Sequence, residues 1–181
     1  MCGVVRGMGP GRALVSCSLA GLLLGGTPVP AGGLRTVHPV QVPGPRQELE
    51  DRIPCLKAAR QRARARLGDP QCLAVLSDFR SVTGLRLDEE LAASGRTAQE
   101  QFDLLALESG LGRYMCSQRV TMASTRVYSS VVSICLRSFT LLSRAEQDAV
   151  LIHEMLHSLG LGENPPESVA ITAQVLKRCG H

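Results

Sequence analysis

Tryptophan is absent from this 181-residue chain, and aromatic residues make up only 3% of it. A core must therefore come from Leu, Val, Ile and Ala. A hydrophobic content of 44% allows this for one globular domain rather than two. An excess of either charge is lacking as well. Twenty Lys and Arg against 16 Asp and Glu leave +4, too little to imply a nucleic-acid partner. The basic stretch ARQRARARLG does not change this. Its arginines at 60, 62, 64 and 66 would spread round a helix with no aromatic between them to stack on bases, so a solvated helix face is expected. No CxxC pair occurs, which argues against a cysteine zinc knuckle or a dithiol redox motif. No internal repeat is present.

The N-terminus is poor in charge. Residues 1–31 carry only Arg6 and Arg12, followed by the apolar run ALVSCSLAGLLLGG and small residues around Ala31. That order predicts a secretory signal, starting at Met1 or Met8. The run is too short for a membrane span, so no stable span is expected after its removal. Residues 32–47 are rich in Pro and Gly and predict an extended linker, leaving 48–181 as the domain. Five cysteines remain there: Cys55, Cys72, Cys116, Cys135 and Cys179. In a secreted or periplasmic protein they predict two disulfides and one leftover thiol.

Helical spacing of Leu56, Ala59, Ala63 and Leu67 predicts a helix from Ile53-Pro54 to Gly68. Asp69-Pro70 predicts an N-cap and a second, short helix. In TAQEQFDLLALESG, Thr97 and Glu100 form a capping-box pattern, yet FDLLALE also suits a strand. RVTMAS and RVYSSVVSIC predict two strands. Ser143 and Glu146 form a further capping box that opens a helix from Arg144 to about Gly160, and Glu167 to Cys179 predicts a last short helix. Helices, then strands, then helices argue for an α+β domain.

Two of the four histidines, His153 and His157, stand four residues apart inside the helix opened by Ser143. At that spacing both imidazoles project from one face and reach one zinc ion. Glu154 is placed to act as general base on a zinc-activated water and to hand the proton to the leaving amine. A catalytic zinc needs a third protein ligand. Gly160 can turn the chain back so that Glu163 approaches the ion, with Glu167 as its rival. Asn164, Glu167 and Asp148 are candidates to steady a ligand. Tyr128, Tyr114, Arg126 and His181 are candidates to stabilise an oxyanion.

HEMLHSLGLGE resembles the zincin metallopeptidases, and within them the metzincin pattern HExxHxxGxxH with Glu163 in place of the last histidine. Small secreted bacterial enzymes of this kind have an acidic third ligand. The resemblance covers little more than residues 143–168. It implies a small zincin-like domain: N-terminal helices, a short twisted sheet over an active-site helix, and a short C-terminal helix. It also implies one Zn2+, with ligand roles for His153, His157 and Glu163 and the base role for Glu154. The implied partner is a peptide or protein substrate, bound extended along an edge strand and hydrolysed. Metzincins place a methionine turn below the metal, and this chain has no methionine after Met155.

The leading expectation is thus a secreted zinc-dependent peptidase. A second is an exported binding protein in which zinc is structural or catalysis has been lost. A third is a hydrolase of non-peptide amides, for which the same chemistry would serve.

Overall fold

The computed structural model describes residues 45–118 and 120–180. The predicted signal and most of the predicted linker lie outside them, as does His181. Among the described residues, ten helices and three strands follow in order. They are α1 (Pro45–Arg52), α2 (Pro54–Arg66), α3 (Pro70–Leu73), α4 (Val75–Asp78), α5 (Leu87–Ala93), α6 (Ala98–Asp103), β1 (Ala106–Ser109), α7 (Tyr114–Ser117), β2 (Ala123–Thr125), β3 (Val131–Ile134), α8 (Leu136–Phe139), α9 (Arg144–Ser158) and α10 (Ser168–Cys179). The fold is α+β, as its order of elements predicts. Helix α1 begins at Pro45, inside the stretch expected to be linker; proline suits a first helical position because its missing N–H would have no partner there.

Local signals set most boundaries. The Asp69 carboxylate accepts the Gln71 N–H at 2.8 Å and starts α3. The ambiguous segment is both things in turn. Thr97 and Glu100 cap α6, and the chain then straightens into β1. The two strands expected after Arg119 are present but short. Tyr128, expected in a strand, lies in the loop between them at φ 61°. The sheet has the order β1-β3-β2, with β1 parallel and β2 antiparallel to β3. Both β1 and β2 are therefore edge strands.

Among the described residues, helix α9 is the element on which the others pack. Ser143 Oγ accepts the Glu146 N–H, and Glu146 accepts the Ser143 N–H at 2.8 Å. From Gln147 to Ser158 every residue is buried. Val150, Leu151, Met155 and Leu159 recur on one side of the helix, and the burial extends past that side because α2, α10 and β2 all pack on α9.

Its buried polar groups are answered from neighbouring elements. Asp148, with a side chain 2% exposed, pairs with Arg62 at 2.8 Å and Arg66 at 3.1 Å, both from α2. Arg60 pairs with Glu50 and donates to the Asp103 and Leu105 carbonyls, and Arg64 pairs with Asp103. The arginines expected to form a solvated face are thus fasteners. The Asp148 pairing also removes it from the candidates for steadying a metal ligand.

Two disulfides join Cys72 to Cys179 and Cys116 to Cys135, and Cys55 is outside both. This is the predicted count, and it points to an oxidising, extracellular or periplasmic location. No described helix is long and apolar enough to cross a membrane. The first disulfide fastens the end of α10 to α3. Beside it, Arg178 holds Asp78 through two bonds of 2.8 Å, and Gln174 donates to the same carboxylate at 2.6 Å.

Two outcomes follow from these pairings. Asp148→Ala leaves two half-buried guanidinium groups without their carboxylate and should cost about 3 kcal/mol in urea unfolding; a loss within error of zero would show that the clamp is dispensable. The second concerns Asp78, whose carboxyl is held below its ordinary value of 3.8 chiefly by its hydrogen bond to Arg178. A depressed folded-state value stabilises above the unfolded value, and that stability is lost as pH falls through the folded one. The stability gap between wild type and Asp78→Asn should be open at about pH 7 and close on acidification to about pH 2. A gap unchanged by acid would assign it to packing instead.

Candidate metal centre

The end of α9 builds the site. Leu159 closes the helix and Gly160 follows at φ 100°, a conformation that side chains other than glycine rarely adopt. The Gly160 N–H donates to the His157 carbonyl at 3.0 Å, and the Leu161 N–H donates to the Leu156 carbonyl at 3.1 Å. This pair of bonds is a Schellman turn. It folds the chain back so that the Leu161 carbonyl accepts the His157 Nδ1–H at 2.8 Å. Two residues later the Glu163 carboxylate swings over the helix. A Cβ on Gly160 would also run into the Tyr128 ring, so the turn admits only glycine on two counts.

His153, His157 and Glu163 come together as the one cluster of potential metal-ligating side chains among the described residues. The two Nε2 atoms are 2.9 Å apart, and Glu163 Oε1 lies 3.4 Å from that of His153 and 3.3 Å from that of His157. Three donors at about 2.0–2.1 Å from a tetrahedral ion stand about 3.3 Å from one another, so this triangle has the right size. A carbonyl can only accept, so the Leu161 contact requires a proton on His157 Nδ1, and the neutral ring is the Nδ1–H tautomer. In that tautomer Nε2 carries a lone pair turned towards His153 Nε2 and Glu163 Oε1, an arrangement a cation satisfies. Two imidazoles and one carboxylate suit zinc better than calcium or magnesium, which prefer all-oxygen shells.

Burial, and secondarily the neighbouring His157, push the His153 imidazole down to about 4 against the opposing pull of Glu163. It is therefore neutral and able to ligate at physiological pH. Its other nitrogen, Nδ1, lies 2.9 Å from Thr172 Oγ1 of α10. With its proton on Nδ1 the ring donates to that hydroxyl and leaves Nε2 free to ligate a cation. Neither Thr172 nor the Leu161 carbonyl was among the expected supporting groups. A lone threonine in a helix carries no motif, and a carbonyl carries no sequence signal. Glu167, the rival ligand, is instead exposed at the N-cap of α10 and outside the cluster.

Glu154 is 5% exposed, and its Oε2 is the one buried side-chain polar atom without a hydrogen-bond partner among the described residues. Burial, and then the Glu163 charge, raise its carboxyl to about 8. Such an orphan oxygen is costly unless a water or ligand answers it. It lines a cavity of about 930 Å³ together with His153, His157 and Glu163.

That cavity is a trough with three walls. The floor is one face of α9, running from His157 through His153 and Val150 to Glu146. One side is α10, from Ser168 to Leu176, and the other is the segment from Val120 to Val127 with β2 inside it. The Cys135 N–H donates to the Met122 carbonyl at 2.9 Å, which makes Met122 and Cys135 a hydrogen-bonded pair. Antiparallel pairs alternate, so Ala123 and Thr125 direct their backbone groups away from β3, to the open edge. Of the oxyanion candidates, Arg126 lines the trough, whereas Tyr114 does not. Tyr128 also lies off it: its hydroxyl donates to Glu90 at 3.1 Å and its N–H to the His157 carbonyl at 2.9 Å, so it braces the turn.

Zinc binding should follow this geometry. Thr172→Val should weaken it by about 10–100-fold, Thr172→Ser should preserve it, Glu163→Gln should weaken it more than Thr172→Val does, and Glu167→Gln should leave it unchanged. Competition with a chromophoric chelator measures all four, and wild-type affinity in Glu163→Gln would remove that residue from the metal set. No family model, curated protein or solved structure matches the chain.

Proposed function

We propose that this protein is a zinc-dependent peptidase of zincin type, with His153, His157 and Glu163 holding one zinc ion and Glu154 as general base. The observation that carries this is the unpartnered Glu154 carboxylate beside three metal-sized donors at the floor of an open trough. A closed structural centre would need a fourth protein donor, and the described cluster has three.

Zinc, when bound, supplies the positive charge that polarises a carbonyl and lowers the pKa of water. The rest is done by the chain. His153 and His157 keep their Nδ1 protons engaged with Thr172 and the Leu161 carbonyl, so both Nε2 atoms stay available and fixed in direction. Glu154 takes a proton from the attacking water and passes it to the leaving amine. Its burial holds the carboxyl in a range where both transfers are feasible, and a cation beside it favours the ionised, proton-accepting form. Arg126 lies along the same trough and is the candidate to hold the developing negative charge at the carbonyl oxygen. The open edge of β2 offers the N–H and C=O groups of Ala123 and Thr125 to an extended main chain.

Glu154→Gln tests the assignment. It should bind zinc with about wild-type affinity and lose about 10²–10⁴-fold in peptide hydrolysis. Hydrolysis that resists chelators, or that persists undiminished in Glu154→Gln, would end the proposal.

A further inference from the structure

We infer that Glu90 is a positioning residue of the metal centre, although it is not itself one of the clustered donors. Its carboxylate joins two separate segments that grip the Gly160 turn. This role deepens the proposed zinc site and rests on it. The end of α9 leaves carbonyl groups that its own helix cannot fully satisfy. Chain from outside the helix meets them. The Tyr128 N–H donates to the His157 carbonyl at 2.9 Å, and the Val82 N–H donates to the Gly160 carbonyl at 2.8 Å. Ser81 pairs with Leu161 in an isolated antiparallel bridge. Side chains tighten the grip. The Tyr128 ring fills the space where a Cβ on Gly160 would stand, and a Cβ on Gly162 would come 3.0 Å from Val82 Cγ1. Residues 160–162 are therefore held by both the turn at residues 81–85 and the loop of Tyr128.

Neither segment lies in a named helix or strand, so neither has a ladder of its own to fix it. What they share is one oxygen atom. Glu90 Oε1, on α5, accepts from Thr83 Oγ1 at 2.9 Å and from the Tyr128 hydroxyl at 3.1 Å. Thr83 Oγ1 lies in turn 2.7 Å from Ser81 Oγ. Arg86, at the N-cap of α5, pairs with Asp88 and Glu89 and leaves Glu90 to these hydroxyls. Hydrogen bonds from Ser81 and Thr83, and to a smaller degree Tyr128, hold the Glu90 carboxyl below its ordinary value of 4.5 against its desolvation. Two of the three clustered donors depend on the gripped residues. Glu163 follows Gly162 directly, and the Leu161 carbonyl accepts the His157 Nδ1–H and so orients that ring. His153 is held separately, by Thr172 of α10. Slack between the two segments would move the Glu163 carboxylate and the His157 ring and leave His153 in place.

The test compares full-length variants at a temperature where each stays folded. Glu90→Leu removes the shared oxygen, whereas Glu90→Gln keeps an acceptor in its place. Zinc affinity is measured by competition with a chromophoric chelator. Glu90→Leu should weaken it about tenfold or more, and Glu90→Gln should hold it within about threefold of wild type. Thr83→Val should weaken it and Thr83→Ser should not. Adding Tyr128→Phe to Glu90→Leu should weaken it no further, because both changes cut the same link. Amide hydrogen exchange in the zinc-free protein separates positioning from general stability. In Glu90→Leu, exchange at Val82, Tyr128, Gly160 and Leu161 should quicken at least about fivefold, while the amides of α2 and α10 keep their wild-type rates. Wild-type zinc affinity in Glu90→Leu, or in Thr83→Val should Glu90→Leu not fold, overturns the inference. Exchange that quickens evenly over all the helices also overturns it, because Glu90 would then be a general stabiliser. A wild type that binds no zinc overturns the metal centre and this role together, whereas zinc binding indifferent to Glu90 overturns this role alone.

Discussion

The constraint on which the structure depends is that its central helix is buried all round and yet carries ionisable residues. A charge or polar group taken out of water must find a partner or be penalised by several kcal/mol. On α9 each finds one from a different element. Asp148 meets Arg62 and Arg66 of α2, and Gln147 donates to the Phe139 and Leu142 carbonyls. Ser158 accepts from Gln101 of α6, His157 donates to Leu161, and His153 meets Thr172 of α10. The neighbours of α9 are thus fixed by its polar residues as well as by its apolar ones. Apolar packing tolerates sliding; a bidentate arginine or a ring nitrogen within 3 Å of a hydroxyl does not. The exception, Glu154 Oε2, stands where the helix faces the trough, open to a partner from outside the chain.

The parts of the fold that were legible in the sequence are those controlled by neighbours in the chain. Ser143 with Glu146, Thr97 with Glu100, Asp69 before Pro70 and Gly160 after Leu159 each satisfy or release backbone groups within a few residues, so their spacing carries the information. The convergence of Glu163 with the two histidines belongs here too, because one Schellman turn delivers it. What was not legible depends on partners far along the chain. Arg62 and Arg66 look like a solvated face until Asp148, more than eighty residues away, is brought against them. Thr172 has no local pattern that distinguishes it from any helical threonine. Tyr128 was expected in a strand by its β-forming neighbours; its left-handed backbone is imposed by the bond to His157 and by packing on Gly160. Residues 97–110 stand between helix and strand in the sequence for a different reason: both signals are genuine and apply to successive halves.

Helix α10 shows how the distant parts are joined to the site. One of its faces holds Thr172 against His153, and the adjoining positions form a wall of the trough. Its far end is fastened three times over, by Cys72–Cys179, by Asp78 with Arg178 and Gln174, and by Arg66 on the Cys179 carbonyl. Twelve residues with an exposed valine near the start make a poor independent helix, so its position must come from these fastenings. Arg66 bonds both this carbonyl and Asp148, which puts the anchor of α10 and the clamp on α9 in one side chain. The direction of the His153 ring, the width of the trough and the seating of the central helix are therefore set together. Slack at the anchor would turn an imidazole and widen a wall in the same movement, and this is why a chain with so little aromatic bulk in its core relies on a disulfide and paired charges at that end.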